Sequence, residues 1–252
     1  FFKNHLYKDM DTIKEALTFD DVTLAPNYSE ILPNEVNTST NLTKNLSIRI
    51  PLLSSAMDTV TESSMSIAMA KAGGLGIIHR NLNINDQINE IRKVKSQKYP
   101  VGAAVGANKK ELKRAEKILK ENIDIIVVDT AHGHTKKVGN IINKIKKIRP
   151  KGTAICAGNI ATAEAAKFLV RLGVDIIKVG IGPGSICTTR LVAGIGVPQL
   201  SAILDVKKGI GKGKTKLIAD GGIKFSGDIA KALAAGADAV MIGSLFAGTD
   251  EA

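Results

Sequence analysis

A cysteine set among glycines, hydroxyls and a cation is the first place where this sequence could do chemistry. Residues 180–190 read Gly-Ile-Gly-Pro-Gly-Ser-Ile-Cys-Thr-Thr-Arg. Gly180, Gly182 and Gly184 tolerate positive φ and let the backbone approach a ligand closely. Exposed amides and carbonyls in such a loop can hold a phosphate or a cation. Cys187 stands beside Thr188, Thr189 and Arg190. A thiol near a cation has a lowered pKa and can act as a nucleophile. The same residues also suit a half-buried cysteine in an ordinary glycine loop, and the loop alone leaves both readings open. Cys156, within the apolar Ala154-Ile155-Cys156-Ala157, reads as a packed core residue.

Carboxylates and further glycines occupy comparable places. Asp129 follows Ile125-Ile126-Val127-Val128 and precedes Thr130-Ala131-His132-Gly133-His134. His132 and His134 lack a further ligand cluster, which disfavours zinc. Asp220-Gly221-Gly222 and Gly243-Ser244 fit phosphate-binding loops, with Asp220 suited to ribose hydroxyls; tight turns with an Asp cap are the other reading. Two nucleotide motifs fail. Gly213-Lys214-Thr215 resembles the end of a P-loop, but Lys208 stands where glycine is required. Gly182-Pro183-Gly184-Ser185-Ile186-Cys187 puts cysteine where a dinucleotide fingerprint needs its last glycine. A nicotinamide cofactor would be held in another manner.

The elements that must position these residues form a regular series. Apolar, β-branched runs predict strands at Ile50–Ser55, Gly76–His79, Val101–Val105, Ile123–Asp129, Ala154–Gly158, Asp175–Val179, Leu217–Ala219 and Ala239–Ile242. Continuous apolar runs suit strands buried on both faces. Stretches between them, such as Glu111–Glu121 and Thr162–Leu172, read as amphipathic helices, the second with Thr162 as N-cap. Eight strands alternating with helices predict a (β/α)₈ TIM barrel, an α/β fold. One interval, from the sixth strand to the seventh, is much longer than the rest, and its extra length holds the cysteine loop. Active sites of such barrels sit at the C-terminal ends of the strands. His79 ends the second strand, His5 reads as a surface residue, and no closing helix is evident after Phe246.

Composition narrows the function class. With 252 residues, 44% hydrophobic and 23% charged, the chain can bury one large core and is not disordered. The net charge is +11, much of it in Lys136, Lys137, Lys144, Lys146, Lys147, Arg149 and Lys151. These alternate at helical spacing with Val138, Ile141, Ile142, Ile145 and Ile148, so they read as a solvated helix face. Aromatics are only 4%, with no Trp, which argues against stacking platforms for nucleic acid. Two cysteines build no disulfide framework, and no apolar run is long enough to span a membrane. The segment Phe1-Phe2-Lys3-Asn4-His5 has no signal-peptide character, so the cytoplasm is the expected compartment.

At these residues the chain resembles the IMP dehydrogenase family, from Leu17-Thr18-Phe19-Asp20-Asp21-Val22 onward. Ser54-Ser55-Ala56-Met57-Asp58-Thr59-Val60-Thr61-Glu62, Gly73-Gly74-Leu75-Gly76-Ile77-Ile78-His79 and the Cys187 loop carry the resemblance. GMP reductase shares a similar loop, but Thr61-Glu62, Asp129–His134 and Ile218-Ala219-Asp220-Gly221-Gly222-Ile223 look like the dehydrogenase forms. The resemblance implies NAD-dependent oxidation of IMP to XMP through a covalent thioimidate on Cys187. It implies that Ser55, Met57, Asn159, Ser185, Asp220, Gly222, Gly243 and Ser244 line the IMP site. Asp220 would take the ribose, and Ser185, Gly222, Gly243 and Ser244 the phosphate. Thr189 would sit beside the purine. Asp129, with Thr130 and Gly180, would face NAD, and carbonyls of Gly182, Gly184 and Cys187 would coordinate potassium.

It further implies a homotetramer and a single catalytic barrel over residues 1–252. The CBS modules usually found between the second and third strands have no room near 93–100. The family's flap, with its water-activating Arg, and the rest of the potassium site would lie beyond Ala252. If the protein ends there, hydrolysis is expected to fail and IMP to bind weakly, leaving a nucleotide-binding core; if it continues past Ala252, full activity is expected.

Overall fold

The protein's structure, a computed structural model, describes residues 15–185 and 187–252. His5 and the segment around it lie outside the described residues. Two short strands, β1 (Thr40–Asn41) and β2 (Ser47–Ile48), form an antiparallel hairpin. Eight parallel strands follow: β3 (Leu52–Ser54), β4 (Leu75–Ile78), β5 (Gly102–Val105), β6 (Ile125–Asp129), β7 (Ala154–Ile160), β8 (Ile176–Val179), β9 (Lys216–Asp220) and β10 (Ala239–Ile242). Their order is sequential, and β10 pairs with β3 to close a barrel. The expected (β/α)₈ architecture is therefore present, and each expected strand overlaps an observed one.

The helices between the strands are α1 (Ser63–Ala72), α2 (Ile84–Ser96), α3 (Lys109–Ile118), α4 (Lys136–Ile148), α5 (Ala163–Leu172), α6 (Thr189–Ala193), α7 (Gln199–Ile210) and α8 (Ser226–Ala234). Their starts follow from capping. Thr162 accepts from Ala165 N, Thr135 from Val138 N and Asn108 from Glu111 N. Asn108 starts α3 two residues ahead of the expected Glu111, and a 3₁₀ turn, Leu119–Glu121, completes the expected helix. On α4, Val138, Ile141, Ile142 and Ile145 are buried while its lysines face solvent. Ile148, expected on the apolar face, is 43% exposed because it lies in the last turn, beyond the packing surface. No helix among the described residues is long and apolar enough to cross a membrane.

Strand periodicity divides the core into two layers. Successive strand residues point to opposite faces. Ile125 and Val127 of β6, Cys156 of β7, Ile176 of β8 and Ile218 of β9 fill the barrel interior. Ile126, Val128, Ile155, Ile177, Leu217 and Ala219 face the helices instead. Leu42, Leu46 and Ile48 of the hairpin join the interior cluster and plug the end where the strands begin. Sequence analysis missed this hairpin because two-residue strands leave no periodicity to read.

Candidate active site

The same period of two decides what reaches the opposite mouth. Asp129 shares the inward face of Ile125 and Val127, Lys178 that of Ile176, and Asp220 that of Ile218. Each strand therefore carries a polar residue in its inward row close to its C-terminal end. Lys178 is only 3% exposed, yet it is paired twice. Its Nζ donates to Asp129 Oδ1 at 2.9 Å and to Asp220 Oδ2 at 2.5 Å. Burial pulls its pKa down, but the two carboxylates outweigh that and hold the ammonium well above its ordinary value. Gly158 of β7 lies between these strands. A Cβ there would meet Lys178 O at 2.4 Å and Lys178 Cβ at 2.8 Å, so glycine is required for this approach.

A cavity of about 280 Å³ opens over this layer. Ser55, Met57, Asp129, Thr130, Asn159, Gly180, Gly182, Cys187, Thr189 and Asp220 all line it. Ten residues singled out in the sequence thus converge from the ends of five barrel strands. Ser185, Gly184, Gly222, Gly243 and Ser244 do not line it. Of these, Gly243 abuts Met57 Sδ and Ser55 Oγ, and Gly222 abuts Pro183 of the cysteine loop. Larger clefts exist elsewhere, including one of about 630 Å³ lined by Asp86, Asn89, Glu90, Arg92, Lys93 and Ser96. That cleft lies on the surface of α2 and holds no cysteine.

Asn159 knits the cavity wall. Its Nδ2 donates to Gly180 O at 2.8 Å and to Asp220 Oδ2 at 2.9 Å, and its backbone N–H donates to Thr130 O at 2.8 Å. Asn159 Oδ1 and Ser55 Oγ are buried without a hydrogen-bond partner. A buried polar atom left unpaired is costly, and both of these border the cavity, so they fit a polar ligand seated there. Gly180 holds φ at +150°, and a Cβ on it would come 2.1 Å from Asp220 O.

The long interval after β8 does carry the nucleophile candidate. Val197 N–H donates to Ile181 O at 3.1 Å, and Arg190 donates to Val197 O at 3.0 Å, which fastens the base of the loop. Cys187 Sγ lies 3.2 Å from Thr189 Oγ1. The Thr189 hydroxyl and backbone N–H, with Arg190 nearby, hold the Cys187 thiol below its ordinary pKa. Cys156 is the opposite case: complete burial pushes its thiol up to about 12. The two cysteines should therefore separate in alkylation. At neutral pH iodoacetamide is expected to modify Cys187 in the native protein and Cys156 only after denaturation. Thr189→Val should slow the first reaction several-fold and move its rate profile to higher pH, since thiolate is the reacting form. Peptide mass spectrometry over time reads both; equal native reactivity of the two cysteines would refute this account.

Sequence reasoning overlooked Lys178 and Arg80, which also line the cavity. Lys178 had a signal, a lone charge inside the otherwise apolar Ile176-Ile177-Lys178-Val179. Arg80 had only its place, one residue beyond His79. Gly213-Lys214-Thr215 lies before β9, at the far end of the barrel from this cavity. His134 packs its ring 5.0 Å from Phe168.

Comparison with known proteins places the chain in a family. The profile of the IMP dehydrogenase / GMP reductase domain matches residues 16–252. The chain is similar to the inosine-5'-monophosphate dehydrogenase of Borreliella burgdorferi, at 48% identity over 94% of this chain and 71% of that protein. It is 46% identical to the one of Cryptosporidium parvum, over 95% of this chain and 70% of that protein. The one of Aquifex aeolicus is 38% identical, over 95% and 75% respectively. A closed parallel barrel, a cysteine loop after its sixth strand and a match over nearly the whole chain lead to one assignment: the protein is an enzyme of the IMP dehydrogenase / GMP reductase family.

Proposed function

We propose that this chain oxidises IMP to XMP with NAD as hydride acceptor, through a covalent intermediate on Cys187. The observation that carries this reading is a thiol of lowered pKa in one cavity with Asp129, Asn159 and Asp220. The Cys187 thiolate adds to C2 of the purine. The C2–H bond breaks, its electron pair leaves as hydride, and a thioimidate remains. Water then cleaves the C2–S bond, gives XMP and returns the thiol. Splitting the displacement in two lowers each barrier.

NAD supplies the hydride acceptor when bound. Asp129, Thr130 and Gly180 are the residues that would hold it, and their polar atoms around the open cavity fit such a group. Asp220 would take the IMP ribose, beside Ser55, Met57 and Asn159, whose unpaired Oδ1 and the unpaired Ser55 Oγ favour a polar ligand. Ser185, Gly222, Gly243 and Ser244 would take the phosphate at the rim, where barrels of this kind often bind it. Backbone carbonyls of Gly182, Gly184 and Cys187 suit potassium; that of Gly184 already accepts the Cys187 N–H at 3.1 Å. Leu24, Tyr28, Ile31, Leu32 and Val36 stand exposed along one arm, which favours assembly into the tetramer expected of the family. The cytoplasm is the compartment that suits a reactive thiol.

Rapid mixing with IMP, NAD and potassium tests the reading. A burst of NADH stoichiometric with enzyme, with a purine adduct on the Cys187 peptide, is the expected result. Sustained XMP formation would support a complete dehydrogenase. Turnover of GMP with NADPH, and none of IMP with NAD, would overturn it in favour of reduction.

A further inference from the structure

Buried lysines are rare in barrel interiors, and Lys178 has no place in the chemistry described so far. Its ammonium is enclosed, the residue 3% exposed, in a layer of the barrel that meets the cavity through Asp129 on one side and Asp220 on the other. One ammonium spans two carboxylates, at 2.9 Å and 2.5 Å. Glycine at position 158 removes the side chain that would have kept it from doing so. Asn159 extends the chain of contacts from Asp220 to Gly180. Removing any one member leaves a buried charge or dipole unpaired, so the members are energetically tied.

We propose that Lys178 is a positioning residue that couples the cofactor half of the cavity to the nucleotide half. This rests on the reading above, in which Asp129 faces NAD and Asp220 faces the IMP ribose. Fixing one carboxylate by a bound ribose fixes Lys178, which orders the other carboxylate before its own ligand arrives. The second ligand then finds its partner already arranged, and each ligand strengthens the other. Lys178 itself stays protonated throughout. Its two carboxylate partners hold it in the charged form, so it does not serve as a proton carrier.

The NADH burst in whole-chain variants tests this by crossed effects, with KM read as the half-saturating concentration of each ligand. Asp129→Asn should raise KM for IMP, and Asp220→Asn should raise KM for NAD, each about fivefold or more. Neither crossed effect is expected if the two carboxylates act separately. Lys178→Met should raise both KM values more than it lowers the rate of the NADH burst, and it should abolish the crossed effects. Lys178→Arg, which keeps the charge and the donors, should restore most of both. In Lys178→Met two carboxylates face each other without a cation, so the acid limb of the NADH burst rate should move to higher pH. The other titratable groups facing this layer are Cys156 on β7, Arg80 after β4 and Cys187 in the loop.

Urea unfolding of each variant separates coupling from loss of fold; Lys178→Arg and the two Asn variants keep the test open if Lys178→Met does not fold. Crossed effects absent in both Asn variants, or no restoration by Lys178→Arg in a folded protein, would overturn the proposal. Should the wild type turn over GMP with NADPH instead, the functional reading falls. The crossed comparison is then made with that pair, and the coupling stands or falls on it.

Discussion

Cys187→Ala is expected to slow the NADH burst by about four orders of magnitude or more. No purine adduct should form. The loss is this large because, among the described residues, no second thiol lines the cavity to replace it. Cys156 points into the barrel interior, is fully buried and has its thiol pushed up to about 12. IMP binding should change only a few-fold, because the polar wall of Ser55, Asn159 and Asp220 is untouched. Fold stability should change little, since the cysteine loop is only partly buried and makes few core contacts. Single-turnover mixing reads the rate, and calorimetry with IMP alone reads the affinity. An NADH burst of normal rate in this variant would end the covalent mechanism.

Arg114→Met is expected to cost about 3–5 kcal/mol of stability. Arg114 is 3% exposed and its partner Glu111 5%. The guanidinium donates to Glu111 Oε1 at 3.2 Å, to Gln87 Oε1 at 2.9 Å and to Leu82 O at 2.9 Å. Glu111 Oε2 in turn accepts from Gly106 N–H at 2.7 Å. Gln87 donates to His79 O and Ala104 O, at the ends of β4 and β5. The cluster thus binds α2 and α3 to two strand ends. Methionine fills the volume but leaves Glu111 charged and Gln87 half-satisfied. Glu111→Leu combined with Arg114→Met should recover part of the loss, since the unpaired buried carboxylate is then gone. Urea denaturation measures both. A single variant within about 1 kcal/mol of wild type would show that water replaces the lost partner.

The barrel was legible because its signal is collective. Runs such as Ile125-Ile126-Val127-Val128 and Ala239-Val240-Met241-Ile242 recur with helices between them, and each ends near a candidate functional residue. The site was legible where residue type is unusual for its place, as with Asp129 after four apolar residues or Cys187 among glycines. It was not legible where function depends on register across strands. That Lys178 meets both Asp129 and Asp220 requires three strands in alignment and a glycine at position 158, and no local pattern encodes the meeting. The Arg114 cluster was missed for a related reason. Glu111 and Arg114 lie on a helix with many charges, where three-residue spacing looks like ordinary surface pairing.

The pairing of β10 with β3 also bears on how the molecule is made. Val240 lies opposite Leu52 in register, so the ring joins positions separated by roughly four-fifths of the described residues. Contacts so distant in sequence form late and fold slowly. During synthesis on the ribosome, β3 and β9 present bare parallel edges until Ala239–Ile242 has emerged, and bare edges invite wrong pairing. Asp220 sits on β9, and Ser55 N–H donates to Ile242 O of the closing strand at 3.0 Å. The nascent polypeptide therefore completes its candidate cavity only at ring closure, and a chain halted before the last strand has neither a sealed barrel nor a finished cavity.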